Sequence, residues 1–148
     1  MSPRVPVSVL VPIKNEAENL PRCLGCVQWA DEIFVVDSHS TDGSVEIAQR
    51  HGAKVVQFDF NGTWPKKKNW ALEHVPWRND WVLIMDADEH MTPELAREIV
   101  DVLSGRGGRG NGCGDGYFLN RRFMFMNRWI RHCGYYPSWN LRLFRGHP

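Results

Sequence analysis

Short apolar runs separated by polar turns recur along the first two thirds of the chain. Residues 7–11 (VSVLV) are rich in β-branched side chains, and Pro12, Asn15 and Glu16 break the run. From residue 17 to residue 29 the apolar positions Leu20, Leu24 and Val27 return at helical spacing. The same strand-then-helix texture repeats. Residues 32–36 (EIFVV) predict a second, buried strand, and Thr41 or Asp42 is placed to cap a helix over 44–50 that Gly52 closes. Residues 53–58 predict a third strand, 65–74 a helix and 81–85 (WVLIM) a fourth strand. Thr92 followed by Pro93 opens a helix that ends near Leu103. Strands that read as continuous apolar runs, alternating with helices, predict an α/β fold with a mainly parallel sheet and helices on both faces.

In such sheets ligands bind beyond the carboxyl ends of the strands. The residues just past the predicted strands are Lys14-Asn15-Glu16, Asp37-Ser38 and Asp86-Ala87-Asp88-Glu89. Polar and acidic groups are therefore expected to converge on one rim.

The texture changes after Leu103. Residues 104–116 hold seven glycines in thirteen positions, which predicts a flexible loop. The loop contains Gly105-x-Gly107-x-x-Gly110, but this spacing follows a helix and opens none, so it fails the context of a dinucleotide-binding turn. Residues 117–130 are rich in aromatic, Met and Arg residues, and residues 139–145 (WNLRLFR) alternate like a half-buried strand. We divide the chain into βα units over 1–104, the Gly-rich loop over 105–116 and a different, acceptor-side layer over 117–148. The end of the sequence directly after a predicted strand reads as a truncated chain.

Composition sets bounds on the function. At 148 residues the chain has the size of one ordinary domain, able to bury roughly 65–70% of its unfolded surface. Eighteen Lys and Arg against seventeen Asp and Glu leave a net charge of +1, which gives no reason to expect nucleic acid as a partner. No apolar run approaches the length of a membrane span and the N-terminus has no apolar signal core, so we read a cytoplasmic protein. Cys23 and Cys26 form a C-x-x-C pair with no second pair at metal spacing, and they lie inside a helical pattern; reduced, structural thiols are favoured over zinc or redox chemistry.

Against these bounds the acidic turn gains weight. Asp86 and Asp88, with one small residue between them just past a strand, can reach one hard cation such as Mg²⁺ or Mn²⁺, completed by waters and substrate phosphates. A solvated acidic turn before the helix opened by Thr92 is an equal reading of these residues alone. Asp37 on the same rim, able to accept from a ribose or a base edge, favours a ligand site. Lys66-Lys67-Lys68 near a helix N-terminus suits a diphosphate, although a solvated run is the commoner meaning of such a triplet. Metal, diphosphate and nucleoside groups on one rim describe a nucleotide-sugar site.

The same residues carry a resemblance. Residues 7–16 (VSVLVPIKNE), 35–43 (VVDSHSTDG), 68–71 (KNWA) and 86–89 (DADE) resemble the successive motifs of family 2 glycosyltransferases with the GT-A fold. Residues 134–145 (GYYPSWNLRLFR) are similar to the branch that includes bacterial lipopolysaccharide-core glucosyltransferases. The resemblance implies that Asp37 holds the uracil or ribose, that Pro12 and Glu16 line the nucleoside pocket, and that Lys68 lies near the diphosphate. Asp86 would approach ribose and metal, and Asp88 would ligate the metal, Mn²⁺ or Mg²⁺. It further implies an inverting transfer of a hexose from a UDP-sugar to a glycolipid or polysaccharide acceptor; a lipid-linked acceptor would place the chain peripherally at the inner face of the cytoplasmic membrane.

Two positions depart from that pattern. Relatives typically carry Pro-Asp where this chain has Pro137-Ser138, and a serine is too weak a base to deprotonate an acceptor; the catalytic base is therefore unknown. Asp37-Ser38 stands where many members have two aspartates. A degenerate domain that binds a nucleotide sugar without transferring it is the alternative reading. Aspartate-nucleophile phosphatases also place Asp-x-Asp after a strand, but they favour Thr or Val where this chain has His90. Arg121, Arg122, Arg128 and Arg131 among aromatic and Met residues could settle on an anionic membrane surface. Core packing of Phe123, Phe125 and Trp129 beneath solvated arginines is the favoured reading of that segment.

Overall fold

A computed structural model describes residues 4–105 and 114–146. The strands are β1 (Val5–Ile13), β2 (Ala30–Asp37), β3 (Lys54–Gln57), β4 (Trp81–Ile84), β5 (Gly116–Asn120), β6 (Phe123–Phe125), β7 (Arg128–Ile130) and β8 (Trp139–Arg145). Four helices, α1 (Leu20–Gly25), α2 (Ser44–Arg50), α3 (Lys67–His74) and α4 (Pro93–Leu103), connect the first four strands and follow the fourth. The central sheet runs β3-β2-β1-β4-β8-β5. Its first four strands are parallel, while β8 runs antiparallel to both β4 and β5.

The predicted α/β class, with a mainly parallel sheet, is what the structure has. Val7, Val9, Val11 and Val35 point to one face, where they pack with Leu20 and Leu24 of α1, Ala48 of α2 and Ile99 of α4. Leu10, Phe34, Val36, Val82 and Ile84 point to the other, against Ala71 and Val75 at α3. Because both faces are covered, β1 is apolar at all but Ser8 and β2 is apolar throughout its middle, Ile33 to Val36, which is why they read as apolar runs.

Local details differ from the expectations. Strand β1 continues through Pro12 to Ile13, with Pro12 opposite Val36 of β2. Proline is tolerated there because β4 pairs with β1 only at residues 8–10, so no ladder on that flank is left to break. Helix α1 is six residues long and shorter than the periodicity of 17–29 predicts; polar groups of the preceding loop are instead committed to the β2–α2 loop, where Asp42 accepts from the Ala17 N–H at 2.9 Å. The cap position of α2 is Gly43, at φ 86°, while Asp42 accepts from the Ser44 N–H at 3.1 Å. Thr92 caps α4 as expected, accepting from the Leu95 N–H at 3.3 Å. The Gly-rich loop lies almost wholly outside the described residues.

One expectation is overturned. Phe123 and Phe125 are not core: they are 52% and 62% exposed, on a two-stranded β6–β7 ribbon that stands apart from the central sheet. A local apolar pattern of three residues gives no sign of whether a facing layer exists to bury it.

Candidate functional site at the carboxyl rim

The turn that follows β4 is closed by its own residues. Met85 still donates to the Leu10 carbonyl at 3.0 Å, extending the sheet by one bond. The chain then folds so that Glu89 N–H donates to the Asp86 carbonyl and Asp86 N–H donates to Glu89 Oε2, both at 3.0 Å. This reciprocal pair assigns Glu89, which the sequence left without a role.

Cations sit among the carboxylates. Lys68 Nζ lies 2.6 Å from Asp86 Oδ1, and Arg142 Nη2 reaches Asp86 Oδ2 at 3.2 Å and Glu89 Oε1 at 3.0 Å. Arg121 adds a longer contact to Glu89 Oε1 at 3.4 Å. Burial alone would raise the Asp86 carboxyl, but Lys68 and Arg142 outweigh it and hold it below the usual carboxylate range. Arg142 is 8% exposed and reaches the turn from antiparallel β8. Sequence reasoning missed it. The available signal was a charged residue at the centre of a predicted strand, flanked on both sides by leucine. Asp88 differs from its neighbours: it is exposed and, among the described residues, has no hydrogen bond or ion pair.

Asp37 is fully buried at the end of β2. It accepts from the Ser40 N–H at 3.0 Å, from the Ser40 hydroxyl and from Gln57 Nε2 at 3.0 Å. Burial pushes its carboxyl up, yet these donors and nearby Lys67 bring it below its ordinary value. Asp37 thus fixes the β2–α2 loop from within. Half-buried Glu16 accepts from Asn19 Nδ2 at 2.9 Å, and its N–H donates to Ser44 Oγ at 2.9 Å.

The lysine triplet divides its work. Lys66 is exposed and precedes α3, Lys67 donates to the Ile13 carbonyl, and Lys68 pairs with Asp86. Consecutive residues at one helix start therefore tie the β1–β2 end of the rim to the acidic turn after β4. Beside them lies an open cleft of about 600 Å³, lined by Lys14, Lys66 and Lys67 and by the rings of Phe58 and Phe60. Cations beside aromatic walls suit a nucleotide, in a volume within the usual range for ligand clefts. A smaller cavity of about 170 Å³ lies at the amino ends of β2 and β3. There Glu32 already accepts from Ser8, Lys54 and the Arg78 N–H, leaving no uncommitted acceptor of its own.

The rim meets the demands of a divalent cation in a limited way. Among the described residues no three His, Cys, Asp or Glu side chains converge as a preformed cage. Mg²⁺ and Mn²⁺ sites commonly use one or two carboxylates completed by phosphates and water. Exposed Asp88 and adjacent Asp86 fit that description. Burial, then Cys26 and the acidic turn, push Cys23 up to about 12, and Cys26 Sγ accepts from the Met91 N–H, so both thiols of the C-x-x-C pair pack against this turn.

A family model described as Glycosyl transferase family 2 matches residues 8–139. An uncharacterised glycosyltransferase of Rickettsia bellii is 43% identical over 94 residues, covering 63% of this chain and 31% of its own length. The mannosyltransferase PcManGT from Pyrobaculum calidifontis, solved in complex with GDP-Man and Mn²⁺, is 28% identical with a TM-score of 0.51, covering 70% of this chain and 31% of its own. Glucosyl-3-phosphoglycerate synthase from Mycobacterium tuberculosis, solved in complex with UDP, is 25% identical with a TM-score of 0.51, covering 70% of this chain and 42% of its own. The chain spans about a third of the length of the curated relative it matches.

Proposed function

The chain belongs to glycosyl transferase family 2, and from that premise we propose that its carboxyl rim binds a nucleotide sugar, a UDP-hexose, and transfers the hexose to a glycolipid or polysaccharide hydroxyl. Lipopolysaccharide core is the acceptor class favoured by the resemblance of residues 134–145. The observation that carries the reading is the start of α3, where Lys67 and Lys68 join the β1–β2 end of the rim to the Asp86 turn beside a cleft lined by lysines and phenylalanines. The GDP-Man and Mn²⁺ complex of PcManGT and the UDP complex of the mycobacterial synthase support a nucleotide-sugar donor.

In this reading Pro12, Glu16 and Asp37 shape the nucleoside pocket, Asp37 by holding the loop that frames it. Lys68 turns from Asp86 to the donor diphosphate. Asp86, freed on that side, and Asp88 would hold Mn²⁺ or Mg²⁺. The metal would neutralise charge on the departing diphosphate. The acceptor oxygen bonds to the anomeric carbon as the bond to the diphosphate breaks, with inversion. Its proton needs a base, and the Ser138 hydroxyl is too weak for that role.

Ser138 also favours a second reading, a domain that binds the donor without transferring it. Assay of nucleotide release from UDP-glucose and GDP-mannose, with Mn²⁺ or with chelator, separates the two. Metal-dependent release that is lost in Asp88→Ala supports transfer chemistry. Donor binding without release supports the second reading, and a gain of release in Ser138→Asp would locate the missing base. Absence of binding by any nucleotide sugar contradicts both.

A further inference from the structure

We propose that the β6–β7 hairpin is a membrane-docking element that seats the carboxyl rim on an anionic lipid surface. The ribbon pairs Phe123 with Ile130, Met124 with Trp129 and Phe125 with Arg128. Its two-residue turn, Met126-Asn127, has φ of 48° and 60°, the left-handed pair that a tight hairpin requires. Asn tolerates that conformation, whereas Met is unfavourable there. Met126 is also 83% exposed, the most exposed large apolar residue among the described residues, at the tip of a ribbon whose Phe123, Met124 and Phe125 are all more than half exposed. An apolar side chain placed at a strained turn and offered to water is poorly explained by folding alone.

Charge supplies the identity of the surface it meets. Residues 117–146 hold six of the chain's eighteen Lys and Arg and none of its seventeen Asp and Glu. A near-neutral total therefore conceals a basic end and an acidic remainder. Four of these arginines, Arg121, Arg122, Arg128 and Arg131, are exposed on or beside the hairpin, whereas Arg145 lies over Trp81 at the opposite, amino end of β4. Arg122 and Arg131 lie over the Trp129 ring at 4.7 and 4.1 Å, so the cations and the aromatic body share one element. Met126 at the tip, the exposed Phe123, Met124 and Phe125, and the flanking arginines combine the apolar and cationic groups that suit the acyl boundary and the phosphates of an anionic bilayer. The hairpin is also continuous with the rim, because Arg121 at its root contacts Glu89 of the acidic turn. Docking would hold the rim where a lipid-linked acceptor presents its head. The inference needs no donor and no metal, so it stands or falls apart from the transfer reading.

Co-sedimentation of the chain with vesicles of phosphatidylcholine alone, or of phosphatidylcholine containing phosphatidylglycerol, tests it in the absence of nucleotide. Binding to the anionic vesicles alone is expected, weakening as salt rises. The double variant Arg122→Gln/Arg128→Gln should bind roughly 25-fold more weakly, at about fivefold per arginine. Met126→Gly suits the left-handed turn and removes the tip, so it should fold as well as the parent and yet lose vesicle binding. Equal binding to neutral vesicles, no binding to either, or parental binding by Met126→Gly would overturn the proposal. So would a dimer in sedimentation velocity that Met126→Gly dissolves, since that outcome assigns the face to a second copy of the chain.

Discussion

Arg142 explains how three carboxylates share one turn. It spans Asp86 and Glu89 while Lys68 takes the other oxygen of Asp86, so counter-charge is already present in the protein. Arg142→Leu leaves two half-buried carboxylates short of a partner. Because both remain partly exposed, the expected loss is about 2 kcal/mol in denaturant unfolding, below the range for fully buried pairs. Asp37, Glu32 and Asp86 all have carboxyls held below their ordinary values. Each therefore contributes stability that is fully present above the unfolded carboxylate range near pH ~4 and is lost as pH falls through the lower folded values. The unfolding temperature should stay level from neutral pH to about 5 and then drop, and Asp37→Asn should reduce that drop. At this scale the sequence placed Asp37, Asp86 and Asp88 at strand ends and Lys68 at the start of a helix, and the structure has them there, with Lys68 paired to Asp86. The sequence hid Arg142, since alternation along a strand tells which side a residue faces and says nothing of a partner 53 or 56 residues away, and it left Glu89 without a role.

Among the elements, those with both faces buried were the most legible. Residues 81–85 and 32–36 read as apolar runs because helices cover both sides of the sheet, and β8 was recognised over residues 139–145 with its observed bounds. Its antiparallel placement beside β4 was not, because strand order is set by long-range packing. Helix α1 was overestimated, since apolar spacing persists into turns that still pack on the core: Val27 is fully buried although it lies beyond the helix. Capping was legible where a side chain does the work. Thr92→Ala should lower stability by about 1 kcal/mol, read as a shift in denaturant midpoint with unchanged slope. The β6–β7 ribbon was misjudged as core for the opposite reason: its pattern is apolar but no layer faces it.

The whole molecule joins an α/β layer, whose rim we propose binds a nucleotide sugar, to an arginine-rich, acid-free end. Strand-end acids and lysines converge because parallel strands deliver their carboxyl ends to one rim, and that convergence follows from the pattern of strands and helices before any geometry is known. What the rim binds is the central claim. Calorimetric titration with UDP, with and without Mn²⁺, on the parent and on Asp88→Ala tests it most directly. We predict tight binding only when metal and Asp88 are both present, with the fold of Asp88→Ala intact because its side chain is exposed and without partners among the described residues. Equal affinity in all four titrations would contradict a metal-assisted diphosphate site at this turn.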